Sequence, residues 1–458
     1  MSAEAELARF IVRTRFDKLP RSVVEATKRD IFDTVGTALA GSSAPGSREV
    51  VELVQEFGGK EEGTLFVYGG RMPSPEAALA NGTMAHALDF DDTHDAAVLH
   101  AGVSVVPAAI AVAERLGNVS GKELITAVAL GIDVVSRIGL ATKCWIGWIL
   151  TAIYGYYGAA AAAGKLLGLS EERILNALGI AFAQSAGNLE CVASGALTKR
   201  IQAGFAARGG VLSALMAQKG VTGVKEFLTA GGGVFNLYQR GEYDLEPLTS
   251  GLGERFEVTN LSYKPYPCCR WLHTPIDAAL ALSGQVDPGR IEKIEIEVGQ
   301  KAWVSVGEPL EAKLRPRNVV DAQFSIPYTV AVALVKGKVK IEDFTEEAIR
   351  DARVLGVSGR VTFKVNSDME KGVGRGISPT RITVRTKDGK TFSAEADTPK
   401  GHPRNPMTDA EFEEKFRDCA AHAVKSLAAS RVDAAIKMLN GLENVKDVAE
   451  LTKLLVKP

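Results

Sequence analysis

The chain is poor in the features that mark a specialised protein. Cysteine is scarce: five in 458 residues, at Cys144, Cys191, Cys268, Cys269 and Cys419. This odd, scattered set offers neither a C-x-x-C pair nor zinc-site spacing, which argues against a disulfide framework and a structural zinc. Reduced thiols and a cytoplasmic location are expected. Charge of one sign is also lacking. Lys and Arg total 54 against 55 Asp and Glu, a net charge of -1, so no field draws in nucleic acid or an acidic membrane. The opening MSAEAELARF has no apolar stretch of the secretory kind. Long apolar runs are missing with one exception, CWIGWILTAIYGYYGAAAAAG at 144–164, about 21 residues without a charge, which is long enough for a membrane helix. Ala and Gly fill its second half and contribute little transfer energy. It stands alone in a chain of mean hydropathy +0.04. The stretch therefore reads as a buried, small-residue core helix.

What is present is ordinary in bulk and informative in order. Apolar residues make up 46% and charged residues 24%, the balance of a soluble globular protein, and the length allows two or three domains. Up to about residue 255 the pattern is helical. In RSVVEATKRDIFDTVGTALAG the residues Val23, Val24, Ala26, Ile31, Val35 and Leu39 share a face. Ser120 with Glu123 makes a capping box for GKELITAVALGIDVVSRIG. Ser170 opens another helix, and Gly168 closes the one before it. The texture then changes. IEKIEIEVG alternates Ile294, Ile296 and Val298 with glutamates, and residues 360–365 alternate similarly. RITVRTKDGKTFSAEAD reads as a hairpin with Asp388-Gly389 as a two-residue turn, and FSIPYTVAVALVKG as a short apolar helix. After KGHPRNPMT the chain is helical again. The expected fold class is mainly α: a large all-α helical domain formed by both chain ends (1–259 and 404–458), with an inserted smaller α+β domain (260–403).

One stretch concentrates chemistry. HALDFDDTHDAAVLH, residues 86–100, holds three of the six histidines and the aspartates Asp89, Asp91, Asp92 and Asp95. Three readings compete. Asp91-Asp92-Thr93-His94-Asp95 spells D-D-x-x-D, a magnesium-diphosphate motif, but the sequence holds no second D-D-x-x-D to partner it. The stretch also suits a metal-free acid/base site. Or it is a helix end whose aspartates cap backbone, with incidental histidines. So many neighbouring carboxylates stay ionised only where N–H groups or cations satisfy them, so most of them should be structural.

The same stretch brings a resemblance. NGTMAHALDFDDTH, with His100 and SVVPAAIAVAE after it, resembles the MmgE/PrpD family. So do GAAAAAGKLLGLS, LTKRIQAGFAARGGVLSALMAQKGVTG, KPYPCCRWLHTPIDAALAL, DAQFSIPYTVAVAL and KGHPRNPMT. The blocks follow in the family's order over nearly the whole chain. The resemblance implies a helical domain closed by both ends, a smaller α+β domain, a homodimer, no metal or organic cofactor, and small anionic di- or tricarboxylates as substrates. It also implies site residues: Asp89, Thr93, His100, Lys199 and Lys264 as catalytic, with His273 and Arg270 further along the last-named lysine's block. Arg270 and His273, with Arg200 and Tyr154, are the substrate-binding candidates. The residue types fit, because an anionic acid needs cations that stay charged in a partly buried site.

One position departs from the pattern. Many relatives have a histidine in a stretch like G-W-H-P-T, where this chain has Gly147-Trp148-Ile149-Leu150-Thr151. Ile149 cannot move a proton. Tyr154, Tyr156, Tyr157 or His94 are candidate replacements, while Trp145, Trp148 and Trp271 are candidates for shaping the substrate's space. The expected chemistry is removal of a proton next to a carboxylate. His100 is the general base or acid, Lys199 and Lys264 grip carboxylates, Asp89 orients His100 or Lys199, and Thr93 supplies a hydrogen bond. A 2-methylcitrate dehydratase-like hydro-lyase ranks first, a dicarboxylate epimerase or isomerase second and a cis-aconitate decarboxylase-like enzyme third. A magnesium-dependent diphosphate enzyme or an inactive helical scaffold is the remote alternative.

Overall fold

A computed structural model describes residues 1–144, 146–371 and 376–457. The chain divides into two compact units. One is Met1–Leu261 with the C-terminal segment from Thr408, and the other is Ser262–Met407.

The first unit is helical. Its ten leading helices are α1 (Ala3–Arg13), α2 (Arg21–Gly41), α3 (Ser47–Phe57), α4 (Ser74–His86), α5 (Gly102–Leu116), α6 (Gly121–Ala141), α7 (Leu150–Leu166), α8 (Glu171–Phe182), the single turn α9 (Glu190–Ala193) and α10 (Thr198–Gln218). A two-residue-per-strand hairpin, β1 (Gly63–Thr64) with β2 (Arg71–Met72), lies between α3 and α4. The caps act as the residues require. Ser120 accepts from Glu123 N–H and Glu123 reaches back to Ser120 N–H. Ser170 accepts from Arg173 N–H, and Gly168 takes the left-handed backbone just past α7.

Small residues let this core pack backbone to backbone. An added Cβ at Gly204 of α10 would lie 2.4 Å from Leu79 O and from Thr83 Oγ1 of α4. At Gly158 of α7 it would lie 2.9 Å from Gly131 O of α6. Dispersion between such closely spaced helices replaces what large side chains would contribute. The uncharged 144–164 stretch is only partly helical. Residues 146–149 of it are irregular chain, and its Tyr-Gly-Ala portion lies in the buried part of α7. Among the described residues, the helix long and apolar enough to cross a membrane is α6, and 94% of its most apolar window is buried, as in a core helix.

The second unit is a four-stranded sheet under helices. Its strands are β3 (Ile291–Val298), β4 (Val361–Val365), β5 (Thr380–Thr386) and β6 (Thr391–Ala396), in spatial order β4-β3-β5-β6. β3 pairs parallel with β4 and antiparallel with β5. Register sets Ile294 opposite Val384 and Ile296 opposite Ile382. These residues face the core together with the helices His273–Ser283 and Ile326–Lys336. The other face carries ion pairs such as Glu292 with Arg385. The β5–β6 turn differs from expectation. Thr386 N–H donates to Lys390 O and Gly389 N–H to Thr386 O, so the loop is Lys387-Asp388-Gly389, three residues, with Gly389 at φ +82°. A type I turn closed by a left-handed glycine gives this geometry, whereas a two-residue turn needs positive φ at both central positions.

Candidate functional site

Four helix ends meet around the 87–101 loop of the helical unit. α4 finishes at His86, α5 begins at Gly102, Thr151 sits in the first turn of α7, and Lys199 and Arg200 sit in the first turn of α10. Three of these are N-termini, where unpaired N–H groups and the macrodipole concentrate partial positive charge. A loop rich in aspartate answers that field, and each aspartate does a different job.

Asp92 is a remote cap. Its two oxygens accept from Ala101 N–H at 2.9 Å and Gly102 N–H at 3.0 Å, at the start of α5. Asp89 adopts left-handed backbone, φ +54°, a conformation Asp tolerates better than most residues. Its carboxylate pairs with Lys199 Nζ, and both groups are buried. Asp91 is fully buried, and its Oδ2 lies 2.9 Å from His100 Nδ1 and 3.0 Å from His86 Nδ1. Asp95 is buried.

The contacts of His100 fix its tautomer. Nδ1 is 2.6 Å from the main-chain carbonyl of Asp92, which can only accept, so Nδ1 carries the hydrogen. Nε2 is then the basic nitrogen of the neutral ring. Thr93 Oγ1 stands 3.4 Å from Nδ1, and His100 N–H donates to Thr151 Oγ1 at 3.0 Å. The ring keeps some exposure, 19%, while its neighbours are nearly or fully enclosed. Val98, two residues earlier, holds φ +56°, a conformation that costs a β-branched residue. The loop is thus held in place by its bonds rather than relaxed.

Buried charge shapes proton affinities here. Burial, helped by the nearby Lys199 ammonium, pushes the His86 imidazole down to about 4, so it is neutral and donates Nδ1–H to Asp91. Burial alone would raise Asp91, but the two imidazoles and their hydrogen bonds outweigh it and hold the carboxyl well below its ordinary value. Behind the loop, burial first and then Asp91 push Asp92 up to about 7. Burial and its acidic neighbours raise Asp30 well above the usual range. Both Asp30 oxygens lack a hydrogen-bond partner among the described residues, as suits a protonated acid. Lys415, from the C-terminal segment, donates to Asp33 at 2.6 Å and to Phe90 O at 2.7 Å, tying the chain's two ends to the loop.

The structure therefore brings Asp89, Thr93, His100 and Lys199 into one constellation within one unit. Asp89 serves Lys199, while the carboxylate on His100 is Asp91, which composition flagged only as part of a motif. Arg200 is buried beside Asp89 but donates to Pro45 O at 2.8 Å. Thr151 and Lys415 were given no role in the sequence reading, and His86 was flagged only as one of the stretch's three histidines. Only the D-D-x-x-D spacing pointed toward Asp91, and it pointed to a different chemistry. That spacing does not make a shared face. Asp91 serves two imidazoles and Asp92 the start of α5, so they do not converge with Asp95. His86, Asp91 and His100 could together offer one ligand atom each to a metal ion, all within 4.8 Å of one another. Their Nδ1–Oδ2 separations are hydrogen-bond lengths.

Other candidates are committed to neighbours or belong to the second unit. Tyr154 is wholly buried, its hydroxyl held by Thr142 at 2.7 Å and Gln239 at 2.9 Å. Burial pushes it up to about 12, so it does not fit as a substrate-binding hydroxyl or a replacement acid. Tyr157 is bonded to Ser185, and burial raises it well above its usual value; burial also raises Tyr156. His94 accepts from Ala97 N–H at Nδ1 and meets Glu257 through Nε2 at 3.1 Å. Both its nitrogens are structural. Ile149 is half-buried at the start of α7, Trp148 packs edge-on against Tyr238, and Trp145 lies outside the described residues. In the other unit Lys264 is fully buried, and Trp271 packs against the sheet's core. Arg270 donates to Lys400 O at 3.1 Å and lies 3.4 Å from His273 Nδ1, while His273 Nε2 lies 3.3 Å from Cys268 O. His273 is the first residue of its helix, packed inside rather than capping it.

Comparison with known proteins bears on both units. The family model of the MmgE/PrpD N-terminal domain matches residues 5–246, and that of the MmgE/PrpD C-terminal domain matches 266–440. The chain is 29% identical to the cis-aconitate decarboxylase-like protein oryM of Aspergillus oryzae, over 98% of this chain and 96% of that one. It is 28% identical to the cis-aconitate decarboxylase of Homo sapiens, over 95% and 91%. It is also 24% identical to the 2-methylcitrate dehydratase of Escherichia coli, over 82% and 81%.

Proposed function

The chain belongs to the MmgE/PrpD family, and on that premise we propose that it is an enzyme that transfers a proton at the carbon next to a carboxylate of a small di- or tricarboxylic acid. The observation that carries the reading is the fixed tautomer of His100. Its Nδ1–H is committed to Asp92 O, which leaves Nε2 as the base. Lys199 supplies the electrostatic half. It stands with Arg200 in the first turn of α10, where the helix adds its own partial positive charge. An ammonium in that position favours a carboxylate, and favours more strongly the enolate-like charge that develops when the C–H electron pair stays on carbon. Thr93 and Thr151 hold the loop that presents His100.

Negative charge developing next to a carboxylate is common to three outcomes. With a hydroxy acid, His100 Nε2 takes the C–H proton, the C–H electron pair forms the double bond, and the departing hydroxide takes the proton back from the imidazolium and leaves as water, giving the unsaturated acid. With an unsaturated acid, His100 starts as the imidazolium: CO2 departs, the C–C electron pair passes into the allylic system, and the ring gives its proton to carbon and is reprotonated from solvent. Return of the proton to the opposite face isomerises the substrate. The dehydratase ranked first on sequence. The more extensive likeness to cis-aconitate decarboxylases, 95% of the chain or more against 82% for the dehydratases, moves decarboxylation of a cis-aconitate-like acid level with it. Both reactions handle one carbon skeleton, because loss of water from a citrate yields an aconitate. The test is solvent deuterium uptake, read by mass spectrometry, with cis-aconitate, citrate, 2-methylcitrate and succinate-type acids. The expected result is label in a recovered acid or its product, lost in His100→Ala. Full exchange by His100→Ala, or no exchange and no product with any of these acids, would refute the reading.

A further inference from the structure

His86 and Asp91 have no part in the scheme above, yet both are enclosed against the proposed base. His86 is 2% exposed and Asp91 0%. One oxygen, Asp91 Oδ2, serves both rings, 3.0 Å from His86 Nδ1 and 2.9 Å from His100 Nδ1. The two rings sit edge to face with centroids 4.9 Å apart. His86 is the last residue of α4, and that rigid helix sets its ring.

We propose that Asp91 and His86 are positioning residues for His100: the Asp91 carboxylate steadies the imidazolium that His100 becomes on taking a proton, and the His86 Nδ1–H holds that carboxylate in line. This rests on reading His100 as the proton-transfer group. Asp92 O already fixes the tautomer, so Asp91 is not needed for orientation alone. Its distinct contribution is a negative charge next to a ring that alternates between neutral and cationic. A buried carboxylate with one donor could swing its acceptor away from His100. A second N–H on the same oxygen removes that freedom and lowers the cost of keeping the charge enclosed. The proton moves only between the substrate and Nε2 of His100, and Asp91 and His86 exchange none.

Four variants of the full chain test this. Asp91→Asn is nearly isosteric and removes the charge. Its kcat should fall about 10²- to 10⁴-fold, the range spanned by general-base chemistry and by loss of a supporting carboxylate, with KM changed less than threefold. His86→Leu should lower kcat at least tenfold. His86→Asn places an amide N–H where Nδ1 was and should recover most of that loss. A purely structural role would instead lower folded fraction and melting temperature while leaving turnover per folded molecule intact, and it would not distinguish Leu from Asn by kcat alone. Nitrogen-15 shifts of the His100 ring give a second readout, with its Nδ1–H resonance moving in Asp91→Asn. Turnover within threefold of the parent in Asp91→Asn, or equal kcat in the two His86 variants, would overturn the proposal. So would a stoichiometric divalent ion lost in Asp91→Asn, which would make the three groups a metal centre. His100→Ala with full exchange is a different failure, since it removes the proposed function and not merely its support.

Discussion

Replacing Lys199 with methionine separates the structural from the chemical use of this lysine. Methionine keeps the length of the stem and removes the charge. Lys199 and Asp89 are a buried pair, with side chains 9% and 5% exposed. Removing one partner of such a pair strands the other and costs about 3–5 kcal/mol. Two local features reduce that figure. The Arg200 guanidinium also acts on Asp89, so the stranded carboxylate keeps one cation near. Lys199 sits at the N-terminal turn of α10, where its charge opposes the helix dipole and its loss returns roughly 0.3–1 kcal/mol. The expected net cost is about 2–3 kcal/mol, read as a lower urea midpoint with an unchanged m value. Adding Asp89→Asn neutralises the stranded partner, and asparagine accepts the left-handed backbone at that position. The double variant should return to within about 1 kcal/mol of the parent. Exchange activity should not return, because the double variant still has no ammonium to stabilise developing charge, and it should stay about 10²-fold or more below the parent. A single variant as stable as the parent would refute the buried pair. A double variant that regains turnover would refute the role given to Lys199.

Other expectations follow from the same geometry. Asp92 is raised from 3.8 to about 7 in the fold, so its contribution to stability is complete below pH about 4 and is lost as pH rises through about 7, and Asp30, also raised, acts in the same direction. The Asp92 shift alone is on the order of 4 kcal/mol. Denaturant midpoints measured across pH 4–8 should fall accordingly, and Asp30→Asn, which mimics the protonated acid, should flatten the curve. An Asp30→Asn curve as steep as the parent's would contradict this. Gly204→Ala drives a methyl group against Leu79 O and Thr83 Oγ1 and should cost about 1–3 kcal/mol in thermal unfolding. Gly231→Ala meets nothing within 4 Å and should stay within about 0.5 kcal/mol. EDTA treatment should leave turnover unchanged, and a loss restored by one divalent ion would assign His86, Asp91 and His100 to that ion.

The helical and mixed portions were legible because their signals are periodic and local. The Ser120 and Ser170 caps, the alternation in β3 and the apolar helix Ile326–Lys336 each depend on residues a few positions apart. The hairpin loop was misjudged by one residue because Asp-Gly suits both a two-residue turn and the last two positions of a three-residue one. The strand register that decides between them is set by Thr386 and Lys390, outside the dipeptide. Within the candidate site, Asp89, Thr93, His100 and Lys199 were found through resemblance to a family. Nothing local links Lys199 to Asp89 across 110 positions. His86, Thr151 and Lys415 were passed over because their roles exist only where separate chain segments meet. Tyr154 and His94 were proposed from residue type, and the fold commits their polar atoms to neighbours.

The aspartate-rich loop shows why residue type and spacing alone misdirect. D-D-x-x-D predicts a common face when it lies on a helix, since positions four apart project the same way. Here α4 ends at His86, before the motif begins. In irregular backbone each carboxylate turns to whatever donor its own φ and ψ bring near: Asp89 to an ammonium, Asp91 to two imidazoles, Asp92 to the N–H groups of α5. Three helix N-termini around one loop create a demand for negative charge, and the protein meets part of it with these fixed carboxylates. An acidic substrate beside Lys199 would meet more of it. The same electrostatic field thus accounts for the buried aspartates that hold the loop in shape and for the class of ligand proposed to bind there.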